Sequence, residues 1–261
     1  MARVAVDYQD HIARVTLTRG DKMNALDDAM VDAILAAGEE VAASDARAVV
    51  LSGEGKSFCA GLDMASFAKM GQMSDIESWL MERTHHDANK MQEVAMIWRR
   101  LPMPVIAAIR GAAFGGGLQL ALGADIRIAA RDAKFAVMEM KWGLVPDMGG
   151  MALLPGLVRS DVLRLLTYTA TPIGAEQAEG WGLVTELAED PMARALEIAT
   201  HIAGQSPAAI RAAKRLIEVA ESAGQAEVLL AESRLQAGVI GKPEQMEVVM
   251  AQMQGRKPVF K

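Results

Sequence analysis

The sequence predicts an α/β fold built around a largely parallel sheet covered on both faces. Short runs such as AVVLSG (48–53), PVIAAIRG (104–111) and DIRIAA (125–130) are apolar throughout, the pattern of strands buried on both sides. Segments with helical spacing separate them, as a strand–helix alternation requires. Two segments, VVLSGEGKSFCAGLD and VIAAIRGAAFGGGLQ, read alike as strand, glycine loop and helix start, and begin 56 positions apart at Val49 and Val105. Two copies fall short of a solenoid, which needs about three. They indicate one supersecondary unit reused within a single core.

The elements follow in order. Residues 3–18 alternate through Val4 and Val6, then Val15 and Leu17, with Asp10 and His11 between them, which reads as a hairpin. Asp27 is placed to cap a helix running to about residue 43, with Met30, Ile34, Ala37 and Val41 on one face. The 48–53 strand ends in a glycine turn. Residues 74–100 carry helical spacing and are expected to form one helix, stopped by Pro102. A strand over 104–111 and a loop feeding a helix over GGGLQLALGAD (115–125) come next, then strands at 125–130 and AKFAV (133–137). From about residue 190 the chain turns Ala-, Glu- and Met-rich, punctuated by Gly204, Gly224 and Gly241. We divide it into a core over 1–190 and a C-terminal helical region over 191–261, whose apolar faces are expected to pack both on the core and on another subunit.

About half of the 261 residues are apolar and few are aromatic, so the core is aliphatic with methionine filling gaps. A net charge of −6 excludes the basic stripe of a general nucleic-acid binder. It leaves room for a phosphate-bearing ligand held by a few cations and backbone N–H groups. Cys59 is the single cysteine, so no intrachain disulfide forms. The N-terminus lacks a secretory pattern, and no apolar run approaches the ~18 residues of a membrane span. These features lead us to expect a cytoplasmic protein with no membrane partner.

Gly115, Gly116 and Gly117 open a helix, which suits either a backbone anion site or a tight, closely packed turn. Two nucleotide motifs are ruled out by inspection. The dinucleotide fingerprint would need glycine where Leu120 stands. A P-loop ending at Gly55-Lys56-Ser57 would need glycine where Val50 stands.

Four segments carry a family resemblance. Phe58-Cys59-Ala60-Gly61-Leu62-Asp63 resembles the A-G-x-D segment of the crotonase (enoyl-CoA hydratase/isomerase) family, and PVIAAIRGAAFGGGLQLALGAD (104–125) resembles its second signature. Asn24-Ala25-Leu26 is similar to an early segment beside the coenzyme A moiety, and Arg256-Lys257-Pro258-Val259-Phe260 is similar to the family's ending. The order and spacing hold across nearly the whole chain. The resemblance implies a fold of repeated β-β-α units with C-terminal helices that assemble a homotrimer or a dimer of trimers. It implies an acyl-CoA substrate, with coenzyme A as part of that substrate and no prosthetic group. It also implies that the backbone N–H groups of Leu62 and Gly116 form an oxyanion hole for the thioester oxygen. Such a donor is typically worth ~10²–10³ in rate. Asn24, Ala25, Leu26, Ala60 and Asp63 would then border the coenzyme. Lys22, Lys56 and Lys257 are the cations to test against its phosphates.

Proton transfer at carbon needs carboxylates near the chain. Hydratases of the family resemble a two-glutamate arrangement, and the first of those positions holds Gln119 here, which cannot act as acid or base. The second aligns with Glu139. Asp147, in the GLVPDMGG turn, resembles the aspartate that dienoyl-CoA isomerases of the family use with the glutamate; its simpler reading is a turn residue. Gln119 could orient a water or a carboxylate. The expectation is therefore double-bond isomerisation, with hydration as the alternative and a non-catalytic acyl-CoA-binding protein as a third reading. His85 and His86, adjacent on the expected 74–100 helix, make a poor metal pair, so no metal site is expected. Cys59 reads as a small buried hydrophobe. Met64, Met70, Met73, Met81, Met91 and Met96 read as core fillers, some of which could line an adaptable acyl pocket.

Overall fold

A computed structural model describes residues 2–260. It contains nine strands among these residues: β1 (Val4–Gln9), β2 (Ile12–Leu17), β3 (Ala48–Gly53), β4 (Val105–Ile109), β5 (Ala112–Phe114), β6 (Ile126–Ala129), β7 (Lys134–Ala136), β8 (Ile173–Gly174) and β9 (Glu186–Leu187). The helices are α1 (Asp28–Ala42), α2 (Met64–Met70), α3 (Ile76–Met81), α4 (Lys90–Arg99), α5 (Gly116–Leu122), α6 (Gly150–Leu153), α7 (Ser160–Thr169), α8 (Ala175–Gly180), α9 (Pro191–Ala203), α10 (Pro207–Ser222), α11 (Gln225–Val239) and α12 (Pro243–Met253).

β1 and β2 form the expected hairpin. Asp10 and His11 both take left-handed conformations (φ 50° and 61°), the turn whose twist matches that of the flanking strands. The main sheet runs β1-β2-β3-β4-β6-β9, and every pair after the hairpin is parallel. The internal repeat is visible in the pairing itself: Val49 lies opposite Val105 and Leu51 opposite Ala107, so the 56-position offset is the register of β3 on β4.

The largely parallel sheet is present, and a second, smaller sheet accompanies it. β5, β7 and β8 form a second, three-stranded sheet in which β5 and β7 are parallel. The cause is a bend after each main strand. Gly111 (φ +60°) turns the chain between β4 and β5, and a Cβ there would stand 1.9 Å from the carbonyl oxygen of Lys56, so no larger residue fits. The same break follows β3, where Cys59 bridges to Ala113 of β5, and follows β6, which leads to β7. The strand–strand–helix unit is thus repeated, with β6–β7 a further copy.

Both faces of the main sheet are covered. On one side α1, capped by the Asp27 carboxylate on the Met30 N–H, buries Met30, Ile34, Leu35 and Val41 in a core shared with Trp98 of α4 and Leu118 of α5. On the other, Ala195, Ala199 and Ala203 of α9 lie against Ile12, Val50, Ile106 and Ile128. Alanine at that spacing lets the helix sit close to the strands. α10 is tied to the core by Lys214, whose buried ammonium donates to the Asp125 carboxylate (2.8 Å) and the Met103 carbonyl (3.1 Å). Beyond that anchor α10, α11 and α12 bury little of their own surface.

The helix expected over 74–100 is corrected to two helices, α3 and α4, with 82–89 non-helical between them. Asn89 starts α4 through a capping box with Gln92, and its amide also donates to the Leu80 carbonyl. A residue committed to an N-cap takes extended backbone, which ends helical continuity there. His85 and His86 therefore lie in the connection rather than on a helix, and His86 is left-handed (φ 56°). No helix of the described residues is long and apolar enough to cross a membrane.

Candidate active site

Two loops meet at the edge of the smaller sheet. In the first, Leu62 bridges in parallel with Leu26: the Leu26 N–H donates to the Gly61 carbonyl (2.8 Å) and the Asp63 N–H to the Leu26 carbonyl (2.9 Å). Parallel pairing takes up the groups on either side of Leu62 and leaves its own N–H without a partner among the described residues. In the second loop, Gly115 (φ +51°) turns the chain so that Gly116 opens α5 with its N–H outside the helical ladder. The loops touch. A Cβ on Gly61 would lie 3.4 Å from the Gly116 nitrogen, and one on Gly117 would lie 2.2 Å from the Cys59 carbonyl oxygen. Two free N–H groups thus sit on neighbouring loops held by close glycine packing.

Leu62 and Gly116 both line a cavity of about 1100 Å³, at the large end of small-molecule sites. Its wall is mostly apolar: Leu62, Phe67, Ile76, Trp142, Leu144 and Val145, with Met64, Met70, Met73, Met91 and Met148 among its methionines. Phe67 and Trp142 approach with ring centroids 5.5 Å apart. Of the methionines expected as pocket candidates, Met81 and Met96 do not line it; Met81 is exposed to solvent. Arg19, Asp21, Lys22 and Asp63 supply charge elsewhere on the wall.

Glu139 and Asp147 both line this cavity, half-buried. Burial pushes the Glu139 carboxyl above its ordinary range; its own N–H and the Gln119 amide pull it back, and the charge of Asp147 adds to the rise. Asp147 is raised as well, again by burial, against a lowering from its own N–H. Gln119 is buried and is not among the residues lining the cavity. Its Nε2 donates to Glu139 Oε1 (2.6 Å), and its Oε1 accepts from the backbone N–H groups of Met148 and Gly150 (2.9 Å each). Glu139 Oε2 is buried with no hydrogen-bond partner.

The other expected contacts divide. Lys22, Ala25, Ala60 and Asp63 line the cavity. Asp63 caps α2 by accepting from the Ala65 N–H and also accepts from Arg19 (2.6 Å); these bonds hold its carboxyl below the usual range. Asn24 and Leu26 are fully buried and do not line the cavity. The Asn24 amide donates to the carbonyls of Glu54, Ser57 and Phe58 and accepts from the Arg19 N–H, so it binds the first loop to its neighbours. Lys56 and Lys257 are exposed and lie outside the cavity lining. Sequence reasoning missed Arg19, Phe67 and Trp142; Trp142 follows Glu139 in a short turn of 3-10 helix, a position with no periodicity to mark it. Cys59 is buried, its thiol pushed up to about 12 by burial and donating to the Asn24 carbonyl. Among the described residues no three His, Cys, Asp or Glu side chains converge to hold a metal ion.

Residues 7–261 match the family model described as enoyl-CoA hydratase/isomerase. The chain belongs to the enoyl-CoA hydratase/isomerase family. It is 33% identical over 216 residues to a 1,2-epoxyphenylacetyl-CoA isomerase of Escherichia coli, covering 81% of this chain and 80% of that one. It is 34% identical over 216 residues to the human mitochondrial Delta(3,5)-Delta(2,4)-dienoyl-CoA isomerase, covering 79% of this chain and 65% of that protein. The crystal structure of an enoyl-CoA hydratase from Bacillus anthracis superposes with a TM-score of 0.88 at 31% identity, covering 99% of both chains. The family is one of enzymes, so this chain is an enoyl-CoA hydratase/isomerase-family enzyme, and an acyl-CoA substrate fits that membership.

Proposed function

We propose that the enzyme isomerises double bonds in an unsaturated acyl-CoA thioester by a two-carboxylate proton shuttle. The observation that carries this reading is the pairing of Glu139 with Asp147 in one apolar cavity, while Gln119 occupies the position of the first hydratase glutamate. Hydration would need two carboxylates around one water, and the amide of Gln119 is neutral and already engaged by Glu139 and the Met148 and Gly150 N–H groups.

The thioester oxygen sits against the N–H groups of Leu62 and Gly116, which are aimed where enolate charge develops. A Cβ on Gly115 would stand 3.5 Å from Glu139 Oε1, so Glu139 is close to the oxyanion end and takes the proton from C2 of a 3,5-dienoyl thioester. The electron pair spreads through the trienolate as far as C6. Asp147, whose carboxyl burial raises above its ordinary range, acts as the acid, giving its proton to C6 and leaving a 2,4-diene conjugated with the thioester. Proton exchange between the carboxyls resets the pair. Lys22, Ala25 and Ala60 border the coenzyme, and the chemistry needs no prosthetic group. We assign the enzyme to the cytoplasm, consistent with its single, buried, reduced Cys59, and its exposed C-terminal helices to contacts between copies of this chain.

A paired absorbance assay tests this. With a 3,5-dienoyl-CoA, ultraviolet absorbance should rise as conjugation forms; with a 2-enoyl-CoA it should stay constant. A fall in the second cuvette with no rise in the first would overturn isomerisation in favour of hydration.

A further inference from the structure

We propose that Gln119 is a positioning residue that fixes both carboxylates at once: its amide nitrogen holds Glu139 by Oε1, leaving Oε2 to exchange the proton, and its carbonyl oxygen pins the turn that carries Asp147. This rests on the reading of Glu139 and Asp147 as the proton-transfer pair.

The orientation of the Gln119 amide is decided by its surroundings. Two backbone N–H groups, of Met148 and Gly150, converge at 2.9 Å on one end, so that end is the oxygen. The other end, 2.6 Å from Glu139 Oε1, is therefore the donor. A flipped amide would set N–H against N–H and carbonyl against carboxylate. Glu139 Oε1 is thus held as an acceptor, and Oε2, buried and unpartnered, is the oxygen free to take up a proton. The second half of the device depends on Gly150: a Cβ there would lie 2.7 Å from Gln119 Cγ, so only glycine lets this N–H reach the amide. Met148 and Gly150 bracket the turn immediately after Asp147, and Gln119 is the side chain that spans from that turn to Glu139. A glutamate at position 119 would supply a third carboxylate; glutamine supplies a neutral link whose charge does not change during turnover.

Asp147 on the turn is the ionisable neighbour whose charge reaches Glu139; Arg19, Asp21, Lys22 and Asp63 are the other ionisable groups of the cavity wall. Removing the Gln119 donor takes away a bond that favours the Glu139 anion.

The test is a ¹³C NMR titration of side-chain-labelled glutamate, with the Glu139 signal assigned through Glu139→Gln. Wild type is compared with Gln119→Met and Gln119→Glu. In Gln119→Met the Glu139 midpoint should rise by about one pH unit. The amide resonances of Met148 and Gly150 should move, and kcat should fall at least about tenfold with KM within about twofold. Gln119→Glu keeps an acceptor for those two N–H groups, so they should stay protected from hydrogen exchange; Gln119→Leu, which also removes the donor, carries the titration if Gln119→Met does not fold. An unshifted Glu139 midpoint in the variant that lacks the donor would overturn the proposal. The titration is read without substrate, so a protein that isomerises no thioester would fail the proposed function and leave this contact separately measured.

Discussion

Replacing Glu139 by glutamine separates its chemistry from its cost to the fold. The glutamine keeps an oxygen to accept from Gln119 and loses the ability to take a proton, so turnover of the substrate found in the paired assay should drop by about 10²–10⁴. Stability should move the other way. Burial raises the Glu139 carboxyl above its ordinary value of 4.5, so the folded state holds this proton more tightly than the unfolded chain. Below that value both states are protonated and there is no penalty. As pH rises through the raised folded value the buried group ionises and stability is lost. Glu139→Gln should therefore melt at the same or a higher temperature than wild type at pH 7, with the difference vanishing towards pH 4; a large fall in melting temperature at pH 7 would contradict it. At this scale sequence reading picked out four residues that the structure brings to one cavity wall, Glu139, Asp147, Leu62 and Gly116. It went wrong where a polar side chain is consumed internally. Nothing in Asn24-Ala25-Leu26 reveals that the Asn24 amide is saturated by four groups of the adjoining loops, and exposed lysines such as Lys56 carry no mark of which way the surface faces.

Close approach between elements sets the geometry of the two loops. Gly117 is the tightest case, because the obstacle to a Cβ is the backbone carbonyl of Cys59 rather than a movable side chain. Gly117→Ala should push α5 away from the first loop, destabilise the protein by ~1–3 kcal/mol or more in urea unfolding, and lower kcat by separating the Leu62 and Gly116 donors. Asn89→Ala tests a different kind of junction. It removes the N-cap of α4 and the bond to Leu80 and should cost about 1–2 kcal/mol in the same measurement, with catalysis little changed. Helix α1 was legible because capping residue and apolar stripe agree. The interval 74–100 was not, because helical spacing continues across 82–89 while the capping box at Asn89 and Gln92, a signal present in the sequence, marks a fresh start. The second sheet was hidden for another reason: strands of three residues such as β5 and β7 are too short to display a period, and the bend that detaches them depends on contact between Gly111 and Lys56, far apart in the chain.

Across the whole molecule, the alternation of buried strands and helices and the 56-position repeat were enough to predict the sheet, because each strand must be apolar on both faces and the repeat reappears as register. What no single chain can show is where its uncovered surface goes. Helices α10, α11 and α12 leave Ile217, Leu229, Leu230, Met246, Val249 and Met250 exposed, although the core they flank is closed by α9. Scattered exposed apolar residues are ordinary, but a set concentrated on three consecutive helices leads us to propose that this face packs against another copy of the chain. A symmetric assembly of identical chains meets that need with one patch type. Light scattering of the purified enzyme should accordingly give a multiple of 27.9 kDa. A charged pair of substitutions, Leu229→Glu with Val249→Glu, should reduce that mass towards the single chain, since each buries a carboxylate without a partner if the contact is kept. Circular dichroism should stay that of the folded protein, because neither residue belongs to the core. Wild-type mass equal to one chain would mean that this face meets a different partner; unchanged mass in the double variant would place the contact elsewhere on the surface.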